Sequence, residues 1–244
     1  MKLQLRATSL LVALVLGALL TGGAGASSSP LAVDLGTLGG SSSFAVAVNG
    51  GGQVVGLIQG LRNANDDPVN HAFSWTQAGG MVDLGTLGGT YSDAVAVNTS
   101  GQVVGFSYTT DDAALHAFSW TQAGGMHDLG TLGGTYSNGV AVNDSGQVVG
   151  ESTTAGDAAV HAFSWTQAGG MVDLGTLGGA NSTAAAINGA GQVVGTSFTT
   201  GDAALHAVLW RTLPLTKQDC KNGGWQTYGI FKNEGECISY VNHK

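Results

Sequence analysis

Apolar and polar positions alternate along this chain in short runs, and the runs come in sets of four. In the second set, 93–98 reads Asp-Ala-Val-Ala-Val-Asn and ends at Asn98-Thr99-Ser100-Gly101. Asn in the first place and Gly in the fourth suit a tight turn whose last residue takes positive φ, which predicts a hairpin. The return strand is 102–108, Gln-Val-Val-Gly-Phe-Ser-Tyr. A loop of small and acidic residues then leads to His116-Ala117-Phe118-Ser119-Trp120, bulky on alternate positions. Gln122-Ala123-Gly124-Gly125 turns the chain into a fourth strand over 126–132. No window within the repeats carries a sustained helical period.

The set recurs. Asp-Leu-Gly-Thr-Leu-Gly-Gly begins at Asp34, Asp83, Asp128 and Asp173, and the later steps are 45 residues. Four strands in a period of 45 residues match a propeller blade. Segment 31–38 reads as a fourth-type strand with nothing before it, whereas 206–210 is a third-type strand followed by Arg211-Thr212-Leu213-Pro214 in place of the usual turn. The N-terminal strand is therefore expected to complete the last blade and remove the open edges. The expected fold is all-β, a four-bladed β-propeller over 31–210 closed by that strand, with a small disulfide-bonded tail at 211–244. A linear β array and half of a dimeric ring are the alternatives that the same pattern allows.

The motifs Asp-Leu-Gly-Thr-Leu-Gly-Gly, Ala-Val-Asn-x-x-Gly-Gln-Val-Val-Gly and His-Ala-Phe-Ser-Trp span residues 34–210. This pattern resembles the HAF-repeat family of bacterial extracellular proteins, named for the tripeptide at His71, His116 and His161; the fourth copy reads His206-Ala207-Val208. The resemblance implies an exported, propeller-like repeat protein and attaches no activity to the motif. Residues 217–241 are similar to a short cysteine-bracketed module on assorted exported bacterial proteins, again without an activity.

Residues 1–26 read as a secretory signal, with Lys2 and Arg6 at the start, an apolar stretch over 10–20 and Ala24-Gly25-Ala26 as the cleavage site. That stretch falls short of the ~20 residues of a membrane span. The expected mature protein starts near Ser27, is secreted or held in the periplasm or at the cell surface, and has no membrane span after cleavage. Cys220 and Cys237, 17 positions apart in an exported chain, are expected to form one disulfide.

Charge narrows the partners. Removal of the signal leaves six basic residues against sixteen acidic ones, and between 31 and 210 the only basic residue is Arg62. Such a surface repels phosphate backbones, which excludes nucleic acid.

Each repeated histidine follows an aspartate by four positions: Asp67, Asp112, Asp157 and Asp202 precede His71, His116, His161 and His206. Imidazole and carboxylate are competent metal ligands, but one pair per blade supplies too few, and hydrogen bonding within each blade is the expected role. No metal or other cofactor is expected. The glycine motif lacks the following helix and the lysine of a phosphate loop, so its glycines are expected to serve sharp turns.

Every Ser–His combination is repeated, which argues for architecture over one tuned nucleophile. The asparagines of Asn98-Thr99-Ser100 and Asn143-Asp144-Ser145 match the glycosylation triplet but lie in turns. Function is expected where the copies differ. The loop at 57–70 is four residues longer than its counterparts and carries Arg62, Asp66 and Asp67; Tyr91, Asp112 and Tyr136 belong to neighbouring loops. Aromatics and carboxylates on loops over a rigid scaffold suit a binding face. The expected function is a non-catalytic binding or surface scaffold, its partner a glycan or an extracellular protein. An exported carbohydrate-active enzyme using loop carboxylates and a purely structural surface protein are the alternatives.

Overall fold

The computed structural model describes residues 31–211, 217–228 and 231–243. The signal segment 1–26 lies outside the described residues. The first repeat forms β1 (Ser42–Val48), β2 (Val54–Arg62), β3 (Pro68–Thr76) and β4 (Gly80–Asp83). The second forms β5 (Gly88–Val97), β6 (Val103–Thr109), β7 (Leu115–Thr121) and β8 (Gly125–Asp128). The third forms β9 (Gly133–Val142), β10 (Val148–Thr154), β11 (Val160–Thr166) and β12 (Gly170–Asp173). The last has β13 (Gly178–Ile187), β14 (Val193–Thr199) and β15 (Leu205–Trp210).

Each repeat is an antiparallel meander, in the expected order and with the expected turns. Asn98 accepts from Gly101 N at 3.1 Å, and Gly101 has φ +86°. The fourth strand is shorter than expected. Leu129 N–H still bonds the Ala117 carbonyl in register at 2.9 Å, and the chain then turns at Gly130, whose φ is +72° and whose N–H bonds the Asp128 carboxylate at 2.7 Å.

The propeller does not form. One sheet of twelve strands runs through the first three repeats, a separate sheet holds β13, β14 and β15, and neither closes. Parallel bridges, Asn70 to Tyr91 and Leu115 to Tyr136, carry one repeat into the next. Residues 31–37 form no strand, and in its sheet β15 pairs with β14 alone. The physical reason is visible at both ends. A fourth-type strand exists by pairing with the third strand before it, as β4 does with β3, and among the described residues no third strand precedes 31–38. In a closed ring the outer faces of the first and last repeats would cover each other. Here Val48 is 65% exposed on the outer face at one end, and Val194 and Leu209 are 45% and 41% exposed at the other. The repeats form an open series.

The cores lie between repeats. Successive strand residues point to opposite faces, so the two valines of each Gln-Val-Val-Gly face opposite neighbours. Val103 packs back among Val55, Ala72 and Leu84, while Val104 packs forward with Val148 and Phe163. Val149 repeats the forward role against Ala184 and Val193. Sheets buried on both faces read as continuous apolar runs, as Val-Val does.

An asparagine ladder reinforces each junction. The Nδ2 of Asn49 donates to the Asn98 carbonyl at 2.9 Å, Asn98 to Asn143 at 3.0 Å and Asn143 to Asn188 at 3.1 Å. Asn98 and Asn143 are thereby buried, and the folded protein does not present them for glycosylation.

The tail is helical, with α1 (Lys217–Cys220), α2 (Trp225–Tyr228) and α3 (Glu234–Asn242). The expected Cys220–Cys237 disulfide joins α1 to α3, and both cysteines are fully buried. Asn233 caps α3 by accepting from Glu236 N at 2.9 Å, while the Glu236 carboxylate accepts from Lys232 N at 2.7 Å. Phe231 packs on Tyr240 with ring centroids 5.5 Å apart.

Candidate functional site

The histidines do not pair with the aspartates four positions earlier. Nδ1 of His71 donates to Asp83 at 2.9 Å, His116 to Asp128 at 2.8 Å and His161 to Asp173 at 2.7 Å, each partner twelve positions later. The β3–β4 register explains the choice. Asp83 stands opposite Phe73, which shares a face with His71, so His71 and Asp83 are diagonal cross-strand neighbours. The aspartates of the expected pairs have other work. Asp112, Asp157 and Asp202 have φ of 54–55°, and their carboxylates accept from the backbone N–H of Thr90, Thr135 and Ala180 at 2.7–2.8 Å. Among the described residues no group of three or more His, Cys, Asp or Glu is arranged to hold a metal ion.

Burial pushes the Asp83 carboxyl upward, but its bonds from His71 and Gly85 outweigh this and hold it below the ordinary carboxylate range. Asp157 is held low by Thr153 and Thr135. A carboxyl lowered in the folded state stabilises fully above its unfolded pKa and loses that contribution as pH falls through the folded value. The melting temperature is therefore expected to fall as pH drops below about 4. The gap between wild type and Asp83→Asn should narrow over the same range. A gap that is constant from neutral to acid pH, followed by circular dichroism, would show that the ionised carboxylate is not the stabilising form.

The residues expected to bind a ligand fall into three places. Arg62, Asp66 and Asp67 share the tip of the β2–β3 hairpin, where Arg62 Nη1 donates to the Asp66 carbonyl at 2.6 Å and Asn63 Oδ1 accepts from Asp67 N at 2.9 Å. Tyr91 and Asp112 come together through Thr90, whose N–H and hydroxyl both bond Asp112 at 2.8 Å. Tyr136 lies one repeat further on, its hydroxyl donating to Glu151 at 2.8 Å.

Both tyrosines are half-buried within their repeats. Tyr91 stacks on Phe106 at 5.9 Å and meets Tyr108 edge-on at 6.2 Å. Burial and the neighbouring Asp93 push its hydroxyl up to about 12, and burial and Glu151 push Tyr136 upward as well.

Two grooves lie beside the uniform turns. A groove of about 470 Å³ runs between the first two repeats, lined by uncharged residues that include Gln53, Ser74, Ser100, Trp120 and Gln122. The counterparts of Ser74, Thr76, Gly79, Gly80, Val82 and Gln122 one repeat later line a groove of about 220 Å³, with Ser119, Thr121, His127 and Gln167. The difference in size goes with one exchange: where the first groove has Val82, the second has His127, whose ring lies 6.0 Å from that of Trp165. Trp120 is 8% exposed and forms the floor, while Gln122 and His127 stand at the exposed rim. Gln53 is held by a 2.8 Å bond from its Nε2 to the Ser74 hydroxyl, and Gln102 makes the equivalent bond to Ser119.

Reading the sequence for variable loops passes over these grooves because they are made from the least variable turns. One signal was present: the Met-x-Asp of the fourth strand reads Val82, His127 and Val172 in successive copies, and the middle one departs.

No protein-family model, curated protein or solved structure matches this chain. The resemblance to the HAF-repeat family rests on the motifs alone.

Proposed function

We propose that this chain is an exported, non-catalytic binding module that holds a neutral carbohydrate chain across the grooves between successive repeats. The observation that carries the reading is the recurrence, at two consecutive junctions, of a groove that bears hydroxyls and amides and is lined by no Asp, Glu, Lys or Arg. A polymer of repeating hydroxylated units matches a periodic row of such grooves, each unit meeting the same donors and acceptors. Amides and hydroxyls fix orientation, while the tryptophan and glycine backbone supply apolar surface. The buried Cys220–Cys237 disulfide is compatible with an extracellular place of work.

Calorimetry of the mature protein with soluble neutral polysaccharides tests this, with reducing ends assayed in the same samples. Binding is expected to weaken about tenfold in Gln122→Ala, equivalent to roughly 1.4 kcal/mol. It should survive in Asp67→Ala and Asp112→Ala, with no new reducing ends. His127→Val is expected to open the second groove toward the size of the first and to tighten binding of longer chains. Release of reducing ends that stops in Asp67→Ala or Asp112→Ala would replace this reading with the enzymatic one.

A further inference from the structure

We propose that a second copy of this chain docks the outer face of its first repeat onto the outer face of the last repeat, head to tail, reproducing the junction that joins repeats within the chain. That junction is made three times internally from the same parts. The second valine of each Val-Val faces forward, and Val55, Val104 and Val149 are all fully buried beneath the next repeat. Val194 holds this position in the last repeat and is 45% exposed, beside a hollow of about 230 Å³ bounded by Ala186, Ile187, Val194 and Leu209. At the other end Val48 of β1, which stands opposite Val54 and matches the backward-packed Val97 of the next repeat, is 65% exposed, and among the described residues no repeat precedes it.

The two surfaces are complementary in polar as well as apolar detail. Each ladder asparagine donates forward, from its Nδ2 to the carbonyl of the next copy. Asn188 is exposed, and its amide bonds only the side chain of its own Gln192, at 2.8 Å, so a second amide hydrogen points to the missing neighbour. At the first repeat the Asn49 carbonyl accepts from Gly52 in its own turn, as the Asn98 carbonyl does from Gly101, but lacks the incoming amide that Asn98 receives from Asn49. A donor without an acceptor at one end thus matches an acceptor without a donor at the other.

Charge does not oppose the contact. The chain has a net charge of −8, yet β1, β14 and β15 contain no Asp, Glu, Lys or Arg. Repeat proteins that stay monomeric carry polar outer faces on their terminal repeats, and this one carries Val48 on one outer face and Val194 and Leu209 on the other. Such a heterologous contact leaves one free face of each kind and can extend beyond two copies.

Sedimentation velocity on the full mature chain tests the proposal. The weight-average mass should rise to that of a dimer or beyond by about 100 µM, where even a modest interface associates. Val48→Glu and Val194→Glu, both at exposed positions, should each remain monomeric with unchanged circular dichroism. An equimolar mixture of the two variants retains one intact junction and should form dimers but nothing larger.

A wild-type chain that stays monomeric at that concentration, its end faces covered by its own tail or N-terminal segment, would overturn the proposal. So would association of either single variant alone, which is what a head-to-head or tail-to-tail contact gives.

Discussion

Truncation of Phe118 to alanine is expected to destabilise the protein by about 4 kcal/mol, the range for removing a buried aromatic side chain and leaving its cavity. Phe118 is fully buried at the junction of the first two repeats, among Val55, Ala72, Leu84, Val103 and Trp120. Those neighbours come from both repeats, so collapse around the cavity would require the two repeats to move together. They are also tied by the Asn49–Asn98 bond. Val208 occupies the same position in the last repeat and is only partly buried. Val208→Ala should cost no more than about 1 kcal/mol.

Urea denaturation of the disulfide-intact protein measures both. Because each repeat touches only its neighbours, Phe118→Ala should also separate the melting of the first repeat from that of the later ones. Hydrogen exchange would show this as lost protection in β2 and β3 with β10 and β11 unchanged. Equal costs for Phe118→Ala and Val208→Ala would mean that stability does not reside at the junctions.

The period, the strands and the turns were legible in the sequence because each is a local property. Asn98-x-x-Gly101 specifies its own turn, and alternation over 115–121 specifies a strand wherever that strand pairs. The disulfide was legible for a similar reason, since only one pairing of two cysteines exists.

Closure was not legible, because it depends on the rotation between neighbouring repeats. That rotation is set by how Val104 and Val148 meet across a junction, which no single repeat encodes. The partner of each histidine was misread for a related reason. Asp112 is closer in sequence to His116 than Asp128 is, but its left-handed backbone turns its carboxylate to Thr90. The β7–β8 hairpin instead delivers Asp128 to His116.

Variation between copies was a sound guide to where repeats differ and a poor guide to concavity. Both grooves lie at junctions, and the junctions are built from the invariant turns. What the copies share therefore has two consequences. It stacks the repeats, and it leaves a row of similar grooves along one side of the stack.

Gly105→Ala is the second change with a large expected effect, about 3 kcal/mol by overpacking. Gly105 is the glycine of Gln-Val-Val-Gly, on β6, opposite Ala94 where the register with β5 shifts between Ala94 and Ala96. That irregularity brings the β5 backbone close, and a Cβ on Gly105 would overlap the Asp93 carbonyl. The obstacle is backbone, so no side-chain rotation relieves it, and β5 is itself packed between repeats. Glycine within a strand marks such a close approach. Gly150 has the same relation to the Asn138 carbonyl, so the rule belongs to the repeat. Gly50 supplies the control: it lies in a turn without positive φ, and a Cβ added there would meet no atom within 4 Å. Gly50→Ala should be neutral within about 0.5 kcal/mol. Thermal melting of the two variants beside wild type decides the matter. A Gly105→Ala protein as stable as Gly50→Ala would mean that β5 and β6 do not approach as closely as this, and that the glycine of the Val-Val-Gly motif is dispensable to the stack.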